Sequence, residues 1–391
     1  MNPRAVIPLL VTAIAAAGAA VSGPAGAISP HGDKRVCAAA PAGEAACLAH
    51  VVTTSNASPF ATTSYQNGYS PANLTGVYKP GTGSALVAIV DAYASPNAAA
   101  DLAAYRTQFG LGTANLTQVN QTGGSITTVT GNTGWGQEEM LDLEMVSAMC
   151  PACPIVYVGA KSASFSDLAA AVTQAKNLGA KVISNSYGGT ETSGVASQQA
   201  AYNIQNVAVT VSSGDSGYGA QFPATAADVI AVGGTSLTLN ADGTRKSETV
   251  WSGAGSGCSS YIAKPSWQTD KGCSRRTESD ISAVADPATG VAVYDSYGSK
   301  GGANWLVFGG TSVAAPLVGA IYATYGVPVG ASGYPVENAW AHRSALSDVT
   351  SGSNGSCTSR RNTTNAYLCT GTVGYDGPSG NGTPNGDASA F

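Results

Sequence analysis

Gly309-Gly310-Thr311-Ser312-Val313-Ala314-Ala315-Pro316 is the segment of this sequence best suited to nucleophilic chemistry. A serine at a helix start, after glycines that let a backbone approach, holds its hydroxyl where the helix dipole favours a developing oxyanion. The same residues also read as a serine N-cap on a tightly packed helix. A nucleophilic serine needs a base, and histidine is the usual one. The histidines offer little here: His31 and His50 lie in an irregular N-terminal part, and His342 lies near a cysteine-bearing tail. Carboxylates are the remaining candidates. Glu138-Glu139-Met140-Leu141-Asp142-Leu143-Glu144 sets Glu138 and Asp142 at i and i+4, on one helix face. Their neighbours Leu141, Met145 and Val146 are apolar, so part of this helix must be buried, and two close, partly buried carboxyls share protons. Ser212-Ser213-Gly214-Asp215-Ser216-Gly217 supplies a third acid directly after an apolar strand. A protonated Asp215 can donate a hydrogen bond to an oxyanion; the competing reading is an Asx-turn.

The elements that would position these groups follow an alternating pattern. Ala85–Val90 is a continuous apolar run, as in a strand buried on both faces, and residues 97–109 carry helical spacing. A Gly/Thr-rich loop at 122–134 leads into a helix predicted over 137–149. Strand 155–158, helix 166–178, strand 181–184, helix 195–204 and strand 207–212 follow, and a helix runs from Ser312 to about Tyr325. Alternation of this kind predicts an α/β fold with a mostly parallel sheet flanked by helices, and ligand chemistry at the carboxyl ends of its strands.

Only 10% of the 391 residues are charged and the formal net charge is −5, with no Lys/Arg cluster, which argues against a nucleic-acid partner. An apolar stretch from Ala5 to Val21 followed by Pro24-Ala25-Gly26-Ala27 predicts a signal peptide over residues 1–27 and a secreted, extracellular protein with no membrane association once it is removed. Residues 28–65 read as a short disulfide-bearing extension before a body spanning 66–391. The cysteines fall in four couples, Cys37/Cys47, Cys150/Cys153, Cys258/Cys273 and Cys357/Cys369, which predicts neighbour-to-neighbour disulfides in an exported chain.

From about residue 66 to 386 the sequence resembles the sedolisins, serine-carboxyl peptidases with a subtilisin-like fold. The resemblance rests on four segments in the family's order: the Glu138–Glu144 helix, the Ser213-Gly214-Asp215-Ser216-Gly217 loop, Val232-Gly233-Gly234-Thr235-Ser236-Leu237, and Gly309–Pro316. It implies a subtilisin-like three-layer α/β fold, with Ser312 as nucleophile, Glu138 as general base, Asp142 as its orienting partner and Asp215 as oxyanion donor. It further implies an endopeptidase acting in acid on protein or peptide substrates, as a monomer. Asp91 and Tyr187 stand where relatives can carry Glu and Trp, so proton sharing could extend beyond the pair. A structural Ca2+ is implied at Asp348 and Asp376, with backbone carbonyls of Val349, Thr372 and Gly374; Thr372 replaces a glycine of the family pattern. Sedolisins are commonly made with a long propeptide, whereas only about 40 residues separate Ala27 from the body, too few for such a domain. The alternatives are a catalytically silent secreted binding protein on the same fold and a histidine-dependent, subtilisin-type enzyme.

Overall fold

The computed structural model describes residues 32–299, 301–302, 304–357 and 365–391; the expected signal peptide lies outside them. Along the chain come β1 (Asp33–Arg35), β2 (Ala46–Cys47), β3 (His50–Val52), α1 (Pro71–Tyr78), β4 (Val87–Ala92), α2 (Ala98–Phe109), β5 (Leu116–Asn120) and α3 (Thr133–Met149). Then follow β6 (Ile155–Ala160), α4 (Phe165–Asn177), β7 (Val182–Asn185), β8 (Tyr187–Thr190), α5 (Val195–Gln198), β9 (Ala208–Ser212), β10 (Gln221–Phe222) and β11 (Ile230–Leu239). The last part holds β12 (Arg245–Val250), β13 (Gly257–Ala263), β14 (Arg275–Glu278), β15 (Ile281–Val284), β16 (Val291–Tyr294), β17 (Trp305–Gly309), α6 (Thr311–Tyr325) and α7 (Pro335–Ala341).

The main sheet runs β12-β11-β9-β7-β4-β6-β5, with β15 also paired to β11. All its pairs are parallel except β11 with β12. Its central strands are apolar on both faces because both faces are covered. Val87 and Ile89 face a core shared with Leu74, Leu102, Met140 and Leu317 from α1, α2, α3 and α6. Ala88 and Val90 face the opposite layer, with Phe165, Leu168 and Val172 of α4. This is the expected three-layer α/β arrangement. In α6, Ala314, Ala315, Gly319 and Ala320 keep the helix surface low enough to lie close on the sheet. Leu317, Val318 and Ile321 on the same helix are fully buried, each contributing about 1.5–3 kcal/mol.

Two expected elements change bounds, and one strand is new. α3 starts at Thr133, capped by the Asn132 side chain accepting from the Trp135 amide, so the Gly/Thr-rich stretch ends earlier than its composition suggests. The predicted helix 195–204 closes one α-helical turn and then tightens into a 3-10 turn at Gln199–Ala201. The half-buried β5, not expected from the sequence, pairs with β6. The four disulfides join sequence neighbours, as expected: Cys37–Cys47, Cys150–Cys153, Cys258–Cys273 and Cys357–Cys369. Among the described residues no helix is long and apolar enough to cross a membrane.

Candidate active site

Four elements converge at the carboxyl end of the main sheet. α6 begins at Thr311 after Gly310, whose φ of 101° lies in the region that favours glycine. Side-chain space is closed there too, since an added Cβ would meet the Leu48 carbonyl oxygen at 1.9 Å and Asp215 Oδ2 at 2.7 Å. Ser312 is therefore the second residue of a helix entered through a backbone that only glycine fits. Its hydroxyl donates to the Ser186 carbonyl at 3.3 Å and also interacts with the Glu138 carboxyl.

α3 brings the acids. Although most helical carboxylates are solvated, Glu138, Glu139, Asp142 and Glu144 are all fully buried. Three of them accept a backbone N–H from a distant segment: Glu138 from Ala49 (2.9 Å), Glu139 from Ser95 (2.5 Å) and Glu144 from Tyr294 (2.9 Å). Burial pushes the Glu138 carboxyl well above its ordinary range, and the Asp91 charge adds to this while the Ser312 hydroxyl opposes it. Asp142 is raised by burial, then by Asp91 and Glu138. Asp91, at the end of β4, is pushed up to about 8 by burial. Neither of its oxygens has a hydrogen-bond partner among the described residues, and the same holds for Asp142. Such a cluster cannot ionise throughout and must share protons. Tyr187 does not extend it: its hydroxyl donates to Asn185 (2.9 Å) and meets Tyr202 (3.2 Å).

Asp215 follows β9. Its Oδ1 accepts from both the amide and the hydroxyl of Thr311, at 2.8 and 2.6 Å. Its Oδ2 is buried and has no hydrogen-bond donor among the described residues. Burial raises the pKa of this carboxyl, partly offset by His50 and by the Thr311 bonds. With Oδ1 engaged twice as acceptor, the proton of the neutral form belongs on Oδ2.

The N-terminal segment joins this site, which the sequence reading missed. His50 Nδ1 lies 2.5 Å from Asp33 Oδ2, and its Nε2 lies 3.5 Å from Asp215 Oδ2. Arg35 donates to the Asp215 carbonyl (3.0 Å) and to Ser216 Oγ (2.7 Å). Nothing in the spacing of these residues announces this, because the contacts depend on β1 pairing with β3 and β3 with β17. His342 is exposed, with Nδ1 by the Asn338 carbonyl, and His31 lies outside the described residues.

Among the proposed metal residues, Asp348 accepts from the Gly374 amide (2.8 Å) and Asp376 from the Thr372 amide (3.1 Å). Burial and then, after its hydrogen bonds, the nearby Asp348 charge act on Asp376, which is pushed up to about 7. Two carboxylates from segments brought near each other suit a hard cation. Among the described residues no group of three or more His, Cys, Asp or Glu gathers in metal-binding geometry, so carbonyl oxygens would have to complete such a site.

Residues 120–325 match the model of the subtilase family. Kumamolisin of Bacillus sp. (strain MN-32) is 31% identical over 266 residues, 59% of this chain and 47% of that protein. Sedolisin of Pseudomonas sp. (strain 101) is 32% identical over 182 residues, 39% of this chain and 30% of that protein. The chain belongs to the subtilase family, in its sedolisin branch. The solved Pseudomonas sedolisin, a serine-carboxyl proteinase complexed with two molecules of pseudo-iodotyrostatin, superposes on this subtilase with a TM-score of 0.68 at 26% identity, covering 82% of this chain and 96% of that one. The chain spans about half the length of kumamolisin and less of the other curated relatives.

Proposed function

We propose that this chain is a secreted serine-carboxyl endopeptidase that works in acid through Ser312, Glu138, Asp142 and Asp215. The observation that carries the proposal is the gathering of a helix-start serine, a proton-sharing carboxyl cluster and a buried aspartic acid engaged through one oxygen around one point. Ser312 Oγ attacks the substrate carbonyl as Glu138 takes its proton. Asp142 and Asp91 set the proton affinity of Glu138. Asp215 donates from Oδ2 to the tetrahedral oxyanion, an interaction worth about 2.7–4 kcal/mol for one such donor. Glu138 then returns the proton to the leaving amine, and water releases the acyl group by the same route. Asp215 must carry a proton to donate it, and the carboxyl cluster must share protons while Glu138 itself stays free to accept one, so activity falls as the pH rises towards neutrality.

A structural Ca2+ would be held by Asp348 and Asp376 with the carbonyls of Val349, Thr372 and Gly374, neutralising two mutually repelling carboxylates. A chelator would then lower the thermal midpoint of the wild-type chain and leave Asp376→Asn unchanged. The central test is hydrolysis of an unfolded protein from about pH 2.5 to 8, beside Ser312→Ala. Acid-side cleavage that vanishes in the mutant supports the mechanism; full activity of Ser312→Ala refutes it.

A further inference from the structure

The N-terminal segment does more than border the site: it runs through it as an extended strand. β2 pairs antiparallel with β8, with Ala46 opposite Gly188 and Cys47 opposite Tyr187. β3 pairs antiparallel with β17, with His50 opposite Gly309 and Val51 opposite Phe308. Leu48 and Ala49 span the gap between these two pairings, and Cys47, Leu48 and Ala49 are essentially without solvent exposure.

The carbonyl oxygen and the amide nitrogen of the Leu48–Ala49 peptide each lie beside an acid of the site, and the preceding amide shares an acceptor with Ser312. The Leu48 amide donates to the Ser186 carbonyl at 3.2 Å, the same oxygen that Ser312 Oγ reaches at 3.3 Å. The Leu48 carbonyl oxygen and Asp215 Oδ2 press on the same side of Gly310, and Oδ2 is the atom without a donor. The Ala49 N–H donates to Glu138 Oε2 at 2.9 Å. Carbonyl at the oxyanion donor and amide nitrogen at the proton carrier is the arrangement a scissile bond requires.

We infer that Leu48–Ala49 is a substrate bond of this site, cut within its own chain. The inference rests on the peptidase reading. Ser312 Oγ bonds to the Leu48 carbonyl carbon and its proton passes to Glu138. The C–N bond then breaks as Glu138 protonates the Ala49 nitrogen, leaving a Leu48 ester on Ser312. Water hydrolyses that ester, so the balance is one peptide bond and one water giving a carboxyl at Leu48 and an amine at Ala49. No other reactant is needed.

Two consequences follow from neighbouring contacts. The Leu48 side chain packs beside Gly188, where an added Cβ would meet Leu48 Cδ1 at 3.5 Å and the Gln221 side chain closer still. The acyl-side pocket thus takes a branched aliphatic group, which names the class of external peptide the enzyme cleaves. Cys37 and Cys47 both lie on the amino side of the cut, so their disulfide does not tether the two products. β1 still pairs with β3 across the break, Asp33 opposite Val52 and Arg35 opposite His50. The cleaved segment therefore stays docked until it is unfolded.

The test takes the full chain and Ser312→Ala, brings both to about pH 4, denatures them, and reads intact mass and N-terminal sequence. The wild type yields a new terminus beginning Ala49-His50-Val51, at a first-order rate independent of protein concentration. Ser312→Ala stays intact at that bond, alone or mixed with wild type. Leu48→Lys slows the cut by about tenfold or more, with circular dichroism confirming that the variant is folded. If the wild type digests an added unfolded protein while Leu48–Ala49 remains whole, or is cut elsewhere in 46–52, the inference fails and the peptidase reading stands. Cutting of Ser312→Ala by added wild type also overturns it, since the bond would then be reached between chains. If neither the chain nor the added protein is cut, both readings fall together.

Discussion

Replacing Asp91 with asparagine keeps the shape of a buried group and removes its ability to ionise. Asp91 is completely buried, with neither oxygen partnered among the described residues, and burial takes its pKa from 3.8 to about 8. The folded pKa is above the unfolded one, so the folded state holds a proton that the unfolded state releases. The resulting stability is fully present below about pH 4 and is lost as the pH rises through about 8. A rise of roughly four units at about 1.4 kcal/mol each puts that loss on the order of 5 kcal/mol. Urea unfolding of Ser312→Ala, chosen so that the chain cannot digest itself, should therefore weaken by this order between about pH 4 and pH 8 relative to Ser312→Ala/Asp91→Asn. The double mutant should be the more stable of the two at the upper pH. Because the Asp91 charge also raises Glu138 and Asp142, Asp91→Asn in the Ser312 background should lower the pH at which the base becomes available. Identical pH slopes for the two proteins would refute the assignment of Asp91 as a neutral, buried acid.

Asp215→Ala removes the Oδ2 donor and should lower kcat about 10²–10³-fold, while Asp215→Asn keeps a donor that does not titrate and should extend activity towards neutral pH; kcat–pH profiles read both. Arg276 and Asp280 form a fully buried pair with N–O distances of 2.8 and 2.5 Å. Arg276→Met leaves the buried Asp280 carboxylate without its counter-charge, still held by the Ala231 amide and the Trp340 indole, and should cost about 3–5 kcal/mol in denaturant unfolding. Replacing the Cys258/Cys273 pair, 15 residues apart, should cost about 3 kcal/mol, and the Cys150/Cys153 pair, three apart, about 2 kcal/mol, because the longer loop leaves the unfolded chain more freedom.

The alternation of strands and helices was legible because each central strand is covered on both faces and so reads as an unbroken apolar run. The nucleophile candidate and its acids were legible as local patterns: glycines before Ser312, a four-residue spacing from Glu138 to Asp142, a glycine-rich turn around Asp215. Helix α3 was legible only from Gln137 onward, since Gly134 and Gly136 hide a start set by the Asn132 cap. What stayed hidden is long-range backbone chemistry. The Ala49 amide on Glu138 bridges 89 positions and carries no side-chain signature. His50 sits 17 residues from Asp33, and only strand register brings the two rings of contact together around Asp215.

The buried acids of α3 also bear on how the chain reaches this state. In water an isolated α3 would carry four neighbouring negative charges at neutral pH, and each must be neutralised or clasped by an amide arriving from 44 to 150 positions away. Folding through such distant contacts is slow, and here it also consumes protons. Acid thus removes the repulsion before the distant segments arrive. Refolding should be fastest in the medium where the peptidase is proposed to work.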